Sequence, residues 1–313
     1  MTSERRGKAL LFGGALFLAS CAGGPLGWKH VATTHFDLYT TGGSHTYGPV
    51  LERLEMVHLA LSQTFFQNTD VPGFEVFVYE PEEAMYILGD YGGRFVAGLG
   101  PKGTLVMKNG ASSEDIDPLA AHELAHGFIR ATFKTIPVWF NEGLATYLGS
   151  LRMRDGLACF GGRDRMRSGE AVRGQLIPVR ELFAARGAEF HDASWEHSHY
   201  ASGWAVIHYL LHGEGGRLRR RFDAFNKHFA DPGSVETVSF EAWANVFPDI
   251  PIEQLDTRVK DHLRNVFDRP GGKCMGIPFK EPPPPVYKVE PANMSLVNER
   301  EAWLKANRLR LKW

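Results

Sequence analysis

The strongest constraint on how this chain folds lies between Asp117 and Leu148. Asp117 reads as an N-cap with Pro118 in the first helical position, which starts one helix. A second helix is expected from about Pro137 to Leu148, and only Phe133 to Pro137 joins the two. So short a connection lets the helices lie antiparallel. His122-Glu123-Leu124-Ala125-His126 on the first and Glu142 on the second then face inward together.

Two histidines four positions apart on a helix project from one face and can offer two imidazole nitrogens to a single tetrahedral ion. His122 and His126 satisfy that spacing, which makes them metal candidates. Glu123, between them, points beside the ion rather than at it, where a carboxylate takes and returns a proton. A catalytic zinc needs a third protein ligand and one open position, and two histidines with one carboxylate are a known solution. Glu142 is the candidate third ligand of a site for one Zn2+, with Thr146 as one guess for a partner that orients the set. His191, His197, His199, His208 and His212 also fall close together in sequence and remain alternatives.

The string Val138-Trp139-Phe140-Asn141-Glu142-Gly143-Leu144-Ala145-Thr146-Tyr147, following an HExxH helix and a short loop, resembles the second-helix signature of gluzincin zinc metallopeptidases. The nearest resemblance is to the peptidase MA-like group of exported bacterial proteins. Tyr200-Ala201-Ser202-Gly203-Trp204 and the segment from Ser239 to His262 also look like that group's later helices, so the likeness covers roughly residues 30 to 268. It implies a thermolysin-like catalytic core acting on peptide or protein substrates. It also implies that Thr104 to Lys108 is the edge strand that pairs with extended substrate, and that a tyrosine donates to the oxyanion. Tyr200 is the candidate for that donor, with His197, His199 or a plain core role for the tyrosine as alternatives. Lys108 stands where the aminopeptidase motif has the glutamate that holds a free amino terminus, which argues against aminopeptidase action.

The rest of the chain sets the surroundings. Its 35 basic and 36 acidic residues nearly cancel, which excludes the basic footprint of a nucleic-acid binder. A composition of 43% hydrophobic and 23% charged residues suits an ordinary globular protein. The basic run Arg217, Arg219, Arg220, Arg221 reads as a solvated helix face. At the start, Arg5, Arg6 and Lys8 precede an apolar run from Ala9 to Ala19, too short for a permanent spanning helix. Leu18-Ala19-Ser20-Cys21 resembles the lipobox of bacterial lipoproteins, which implies cleavage before Cys21, acyl chains on it and membrane attachment. Ala22 after it implies the periplasmic side of the outer membrane, where the source has one. Export makes a disulfide between Cys159 and Cys274 a reasonable expectation, worth about 4–5 kcal/mol in the chain-entropy model. Two unrelated buried thiols are the alternative.

The expected class is α+β: a small α/β N-terminal layer with a mixed sheet and edge strand, packed on a mostly helical C-terminal subdomain. Strands are expected at 35–40, 74–79, 95–99 and 104–108, with helices at 50–65, 81–88, 200–211, 217–229, from 239 and at 252–266. Residues 1–20 read as a signal peptide, 21–30 as a lipidated tether and 31–268 as the domain. Residues 269–313 read as a Pro-rich segment with a basic amphipathic helix from Leu296. Three functions compete: peptide hydrolysis, a non-catalytic lipoprotein that binds or assembles through this fold, and a metal hydrolase acting on another bond.

Overall fold

The computed structural model describes residues 27–89, 93–96, 99–100, 103–162, 176–190, 196–267 and 274–307. From Lys29 the chain alternates extended and helical segments: β1 (Lys29–Ala32), β2 (Asp37–Thr40), α1 (Ser44–Thr64), β3 (Glu75–Tyr79), α2 (Pro81–Leu88), β4 (Gly93–Val96) and β5 (Thr104–Lys108). Two helices follow, α3 (Ser113–Thr132) and α4 (Val138–Leu148), then a hairpin of β6 (Arg152–Arg154) and β7 (Leu157–Phe160). Next come α5 (Val179–Ala184), α6 (Gly187–Phe190), α7 (Glu196–Gly216), α8 (Arg219–Ala230), α9 (Val238–Val246) and α10 (Ile252–Phe267). The chain closes with β8 (Met275–Pro278), β9 (Lys288–Pro291) and α11 (Met294–Asn307). This is a mixed α+β architecture with a mixed sheet and a helical C-terminal part. Among the described residues no helix is long and apolar enough to cross a membrane.

The main sheet runs β4-β5-β3-β2-β1-β9. β2, β3 and β5 are mutually parallel, while β4, β1 and β9 each join antiparallel. Its central strands β3 and β5 are apolar on both faces because both are covered. Val76, Val78, Leu105 and Met107 join the core under α1 and α3. Their neighbours Phe77, Tyr79 and Val106 point the other way, onto a smaller core shared with α2 and with Val297 and Leu304 of α11. Period-two alternation thus sorts one set of strands between two cores.

Several expectations are corrected. The first strand starts at Lys29, inside the stretch read as tether, and pairs His30 and Val31 with Tyr39 and Leu38. Helix α3 begins before Asp117, its ladder opening with Ile116 N–H donating to Ser112 O at 2.9 Å. Asp117 is not an N-cap: its buried carboxylate takes Arg53 of α1, with Nε to Oδ1 at 2.7 Å. Pro118 consequently lies inside the helix. β5 is not an edge strand, because β4 pairs along its outer side; β4 is the edge.

The tail after residue 269 is built into the domain. β9 extends the main sheet and β8 completes a second sheet, β6-β7-β8. α11 docks through buried Arg300, whose Nε meets Glu75 Oε2 at 3.0 Å. Cys159 and Cys274 form a disulfide across β7 and the start of β8, with Cα atoms 5.3 Å apart. Within the basic run Arg217, Arg219 and Arg220 are exposed, while half-buried Arg221 bonds Val246 O and Asp249 and lies 4.4 Å over the Phe247 ring. Cys21 and its leader, His191, the side chain of His197 and residues 308–313 lie outside the described residues.

Candidate metal centre and its cleft

α3 and α4 lie against each other with their ionisable residues on the facing sides, as the short connection requires. His122 Nε2 and His126 Nε2 stand 3.3 Å apart, and each is 3.6 Å from Glu142 Oε2. Donors held 2.0–2.2 Å from one ion at tetrahedral angles are separated by roughly 3.3–3.6 Å. The three atoms therefore already occupy three corners of a zinc-sized tetrahedron. Glu142 is only 7% exposed, and a carboxylate so buried needs cationic or hydrogen-bonding company. By donor set and spacing, the residues fit the ion that the sequence suggested.

Asn141 fixes the chemistry of one ligand. Its Oδ1 lies 3.1 Å from His126 Nδ1, so Nδ1 carries the proton and Nε2 presents its lone pair to the centre. Burial, reinforced by neighbouring His122, lowers the His126 pKa to about 4, which keeps the imidazole neutral and ready to ligate. Asn141 takes the orienting role guessed for Thr146, whose buried Oγ1 has no hydrogen-bond partner among the described residues. Asn141 precedes Glu142 directly, so the motif held the signal but not the role.

What puts Glu142 in place is the crossing of α4 over α7. A Cβ on Gly143 would lie 2.6 Å from Gly203 C, and one on Gly203 would lie 2.9 Å from Trp139 O. Only glycine at both positions lets the two backbones touch. The contact also carries Tyr200, one turn before Gly203, to the site. Its ring centre is 6.3 Å from that of His122.

The trio opens into a cleft of about 850 Å³, which Glu123 and Tyr200 also line. Desolvation raises the Glu123 carboxyl to about 7, with His122 opposing the shift and Glu142 adding to it. The far wall is the segment 70–74 together with Phe95 of β4. That wall is pinned from behind: His58 Nε2 donates to Val71 O at 2.8 Å, and His35 bridges Glu55 at 2.5 Å and Asp70 at 3.1 Å. Sequence reasoning missed this wall, Arg130 and Asn141. The wall's contacts join residues far apart in the chain and leave no periodic trace.

Of the alternative ligands, His199, His208 and His212 lie elsewhere. His199 packs against Phe190 at 4.8 Å between ring centres. His208 and His212 join His262 and Tyr147 in a separate buried cluster. Lys108 and Asn109 do not line the cleft among the described residues; the Asn109 amide donates to Glu80 at 3.1 and 3.2 Å.

A family profile described as a protein of unknown function (DUF1570) matches residues 116–228. The matched span holds most of α3 and all of α4 and α7, and with them every residue of the trio, Glu123 and Tyr200. No curated protein matches the chain.

Proposed function

We propose that this protein is a zinc-dependent metallopeptidase of the gluzincin type, lipid-anchored through Cys21 in the bacterial cell envelope and hydrolysing peptide or protein substrates. The observation that carries this reading is the convergence of His122, His126 and Glu142 donor atoms at 3.3 and 3.6 Å on the floor of an open cleft. Three protein donors with a side left open are the pattern of a catalytic zinc, whereas structural sites close with four. When held there, the ion supplies Lewis acidity toward a carbonyl and acidifies a water.

Glu123 takes the proton of the attacking water at its carboxylate and delivers it to the leaving amine nitrogen. A carboxyl lifted to about 7 by burial is suited to both halves of that task near neutral pH. The Tyr200 phenol donates to the carbonyl oxygen as negative charge builds there. β4, the edge strand that carries Phe95, offers its backbone to an extended peptide. The sheet with α3 and α4 is read as the thermolysin-like core. No amine-binding glutamate stands at the motif position that Lys108 occupies, so the activity is read as other than aminopeptidase action.

The test is zinc stoichiometry measured beside turnover of an unbiased peptide library, with and without chelator. Glu142→Ala, His122→Ala and His126→Ala should each lose zinc and activity. Glu123→Gln should keep zinc and lose turnover by about 100-fold or more. Tyr200→Phe should keep zinc and lose about tenfold in kcat. A fully active Glu123→Gln, or zinc bound undiminished by Glu142→Ala, overturns the assignment.

A further inference from the structure

His122, His126 and Arg130 are spaced four apart on α3, so they share one face of the helix. Four residues advance about 6 Å along the axis. Arg130 is therefore the next side chain along the cleft floor beyond the two histidines, and it lines the same cleft. Its guanidinium is close enough to bear electrostatically on both Glu123 and His126.

Arg130 is the one Lys or Arg side chain lining the cleft among the described residues, and it is exposed. Of the cleft's carboxylates, Glu123 feels Arg130 electrostatically without an ion pair between them, and the other two are engaged. Asp70 is held by His35, and Glu142 faces both histidines. Arg130 makes no hydrogen bond or ion pair with any described residue. A guanidinium offers a flat fork of donors that matches a carboxylate, and here that fork stands open to the cleft beside a site built for a dication.

We propose that Arg130 is a carboxylate subsite: it binds either the terminal carboxylate of a peptide or an Asp or Glu side chain close to the scissile bond. An extended peptide advances about 3.3 Å per residue. A guanidinium one helical turn past the ligands therefore reaches a carboxylate one or two residues from the bond over the metal centre. The inference rests on the peptidase reading and narrows its substrates to anionic peptides. The apolar part of the wall, Val71, Phe74 and Phe95, flanks the same path and suits a bulky residue beside the acidic one.

The experiment uses zinc-loaded full-length protein and hexapeptides made in matched pairs: free acid against amide at the C-terminus, and Glu against Gln at each internal position. Two readouts are taken, kcat/KM for wild type, and calorimetric binding to wild type and to the Glu123→Gln protein. Wild type should favour the carboxylate member of one pair by about tenfold or more in both. Selection by the terminal pair identifies a C-terminal carboxylate, and selection by an internal pair identifies an acidic side chain. Arg130→Gln should erase the ratio, and Arg130→Glu should invert it in favour of amide or Lys-containing peptides.

Arg130 also sits in the last turn of α3, where a cation favours the helix dipole. If that were its whole role, Arg130→Gln would lower the melting temperature and leave the ratio untouched. A ratio near one in wild type, or a ratio that survives Arg130→Gln, overturns the subsite. Hydrolysis without carboxylate preference keeps the peptidase reading and sinks the subsite. Carboxylate-selective binding through Arg130 in a protein that cleaves nothing does the reverse.

Discussion

Two clusters of histidine flank the crossing of α4 and α7, and they spend their nitrogens differently. At the α3 end, α4 gives Glu142 and α7 gives Tyr200 to an open cleft, where the three ligand atoms of His122, His126 and Glu142 converge. Farther along, α4 gives Tyr147 and α7 gives His208 and His212 to a closed knot with His262. There the nitrogens are spent on one another and on the protein. His208 Nε2–H donates to Gly161 O at 3.0 Å, so its Nδ1 accepts from His262 Nε2–H at 2.9 Å. His212 Nε2 lies 2.8 Å from Tyr147 Oη, within hydrogen-bond reach. Lone pairs that point at a common centre make a ligand set, and lone pairs already bonded inside the core make packing. Counting histidines in a sequence does not separate the two.

The largest effect should come from the point that both clusters share. Gly143→Ala places a methyl group 2.6 Å from backbone of Gly203, and a rigid backbone atom has no rotamer by which to yield. The helices must part, at a cost of about 3 kcal/mol or more. Glu142 and Tyr147 should shift together, so zinc occupancy should fall along with the melting temperature. Gly127→Ala is the control: its nearest neighbour would be Val71 Cγ2 at 3.7 Å, an ordinary contact, and alanine favours a helix. Thermal unfolding and zinc content of the two variants check the claim. A Gly143→Ala protein as stable as wild type would show that the crossing tolerates separation.

That glycine contact lies beyond what the sequence shows, unlike the features that local pattern carries. The His122–His126 pair was legible because its spacing follows from helix geometry, whereas Glu142 was named from the short loop and the motif likeness, with other histidines left as alternatives. The strands at 75–79 and 104–108 were legible from their apolar runs. The start of α3 was misread because Asp117 followed by Pro118 imitates a cap locally. Its true partner, Arg53, lies sixty-four positions away. β1 and β9 escaped because Lys29-His30-Val31-Ala32 and Lys288-Val289-Glu290-Pro291 carry little apolar pattern, and each becomes a strand by pairing with the other. The Gly143–Gly203 contact and the pinned wall at 70–74 are likewise tertiary facts, and only a fold can supply them.

A smaller effect separates the clusters by pH. Burial depresses His208 well below the usual histidine value and His212 and His262 to about 4. The folded knot thus stays neutral while the unfolded chain takes up protons as pH falls below 6.5. With folded values lowered, the unfolded state binds more protons across that window, so stability should be full above it and fall as pH drops from 6.5 toward 4. The slope should approach about 1.4 kcal/mol per pH unit for each histidine that titrates only in the unfolded chain. Denaturant unfolding of metal-free protein at a series of pH values measures it. His262→Gln keeps a donor for His208 but does not titrate, so its curve should be flatter by about one proton. An equally steep curve would remove the knot as the source.

The finest distinction concerns how each cluster fixes a tautomer. In the knot the carbonyl of Gly161 sets His208 so that its free nitrogen faces another histidine. In the cleft the Oδ1 of Asn141 sets His126 so that Nε2 faces the centre, at a distance of 3.1 Å to Nδ1. Asn141 holds no corner of the site, so Asn141→Ala should leave the three ligands present and weaken zinc by about 10–100-fold. Asn141→Asp restores an acceptor at the same reach and should recover most of that loss. Thr146→Val should change zinc affinity little, because its hydroxyl makes no hydrogen bond to any described residue. Competition with a chelator of known affinity ranks the three. If Asn141→Ala binds zinc as tightly as wild type, the tautomer is fixed by something other than the motif's own asparagine, and orientation no longer distinguishes the centre from the knot. If Asn141→Asp fails to recover while zinc is lost, the amide group also matters as a donor, consistent with its Nδ2 lying 3.4 Å from Glu142 Oε1.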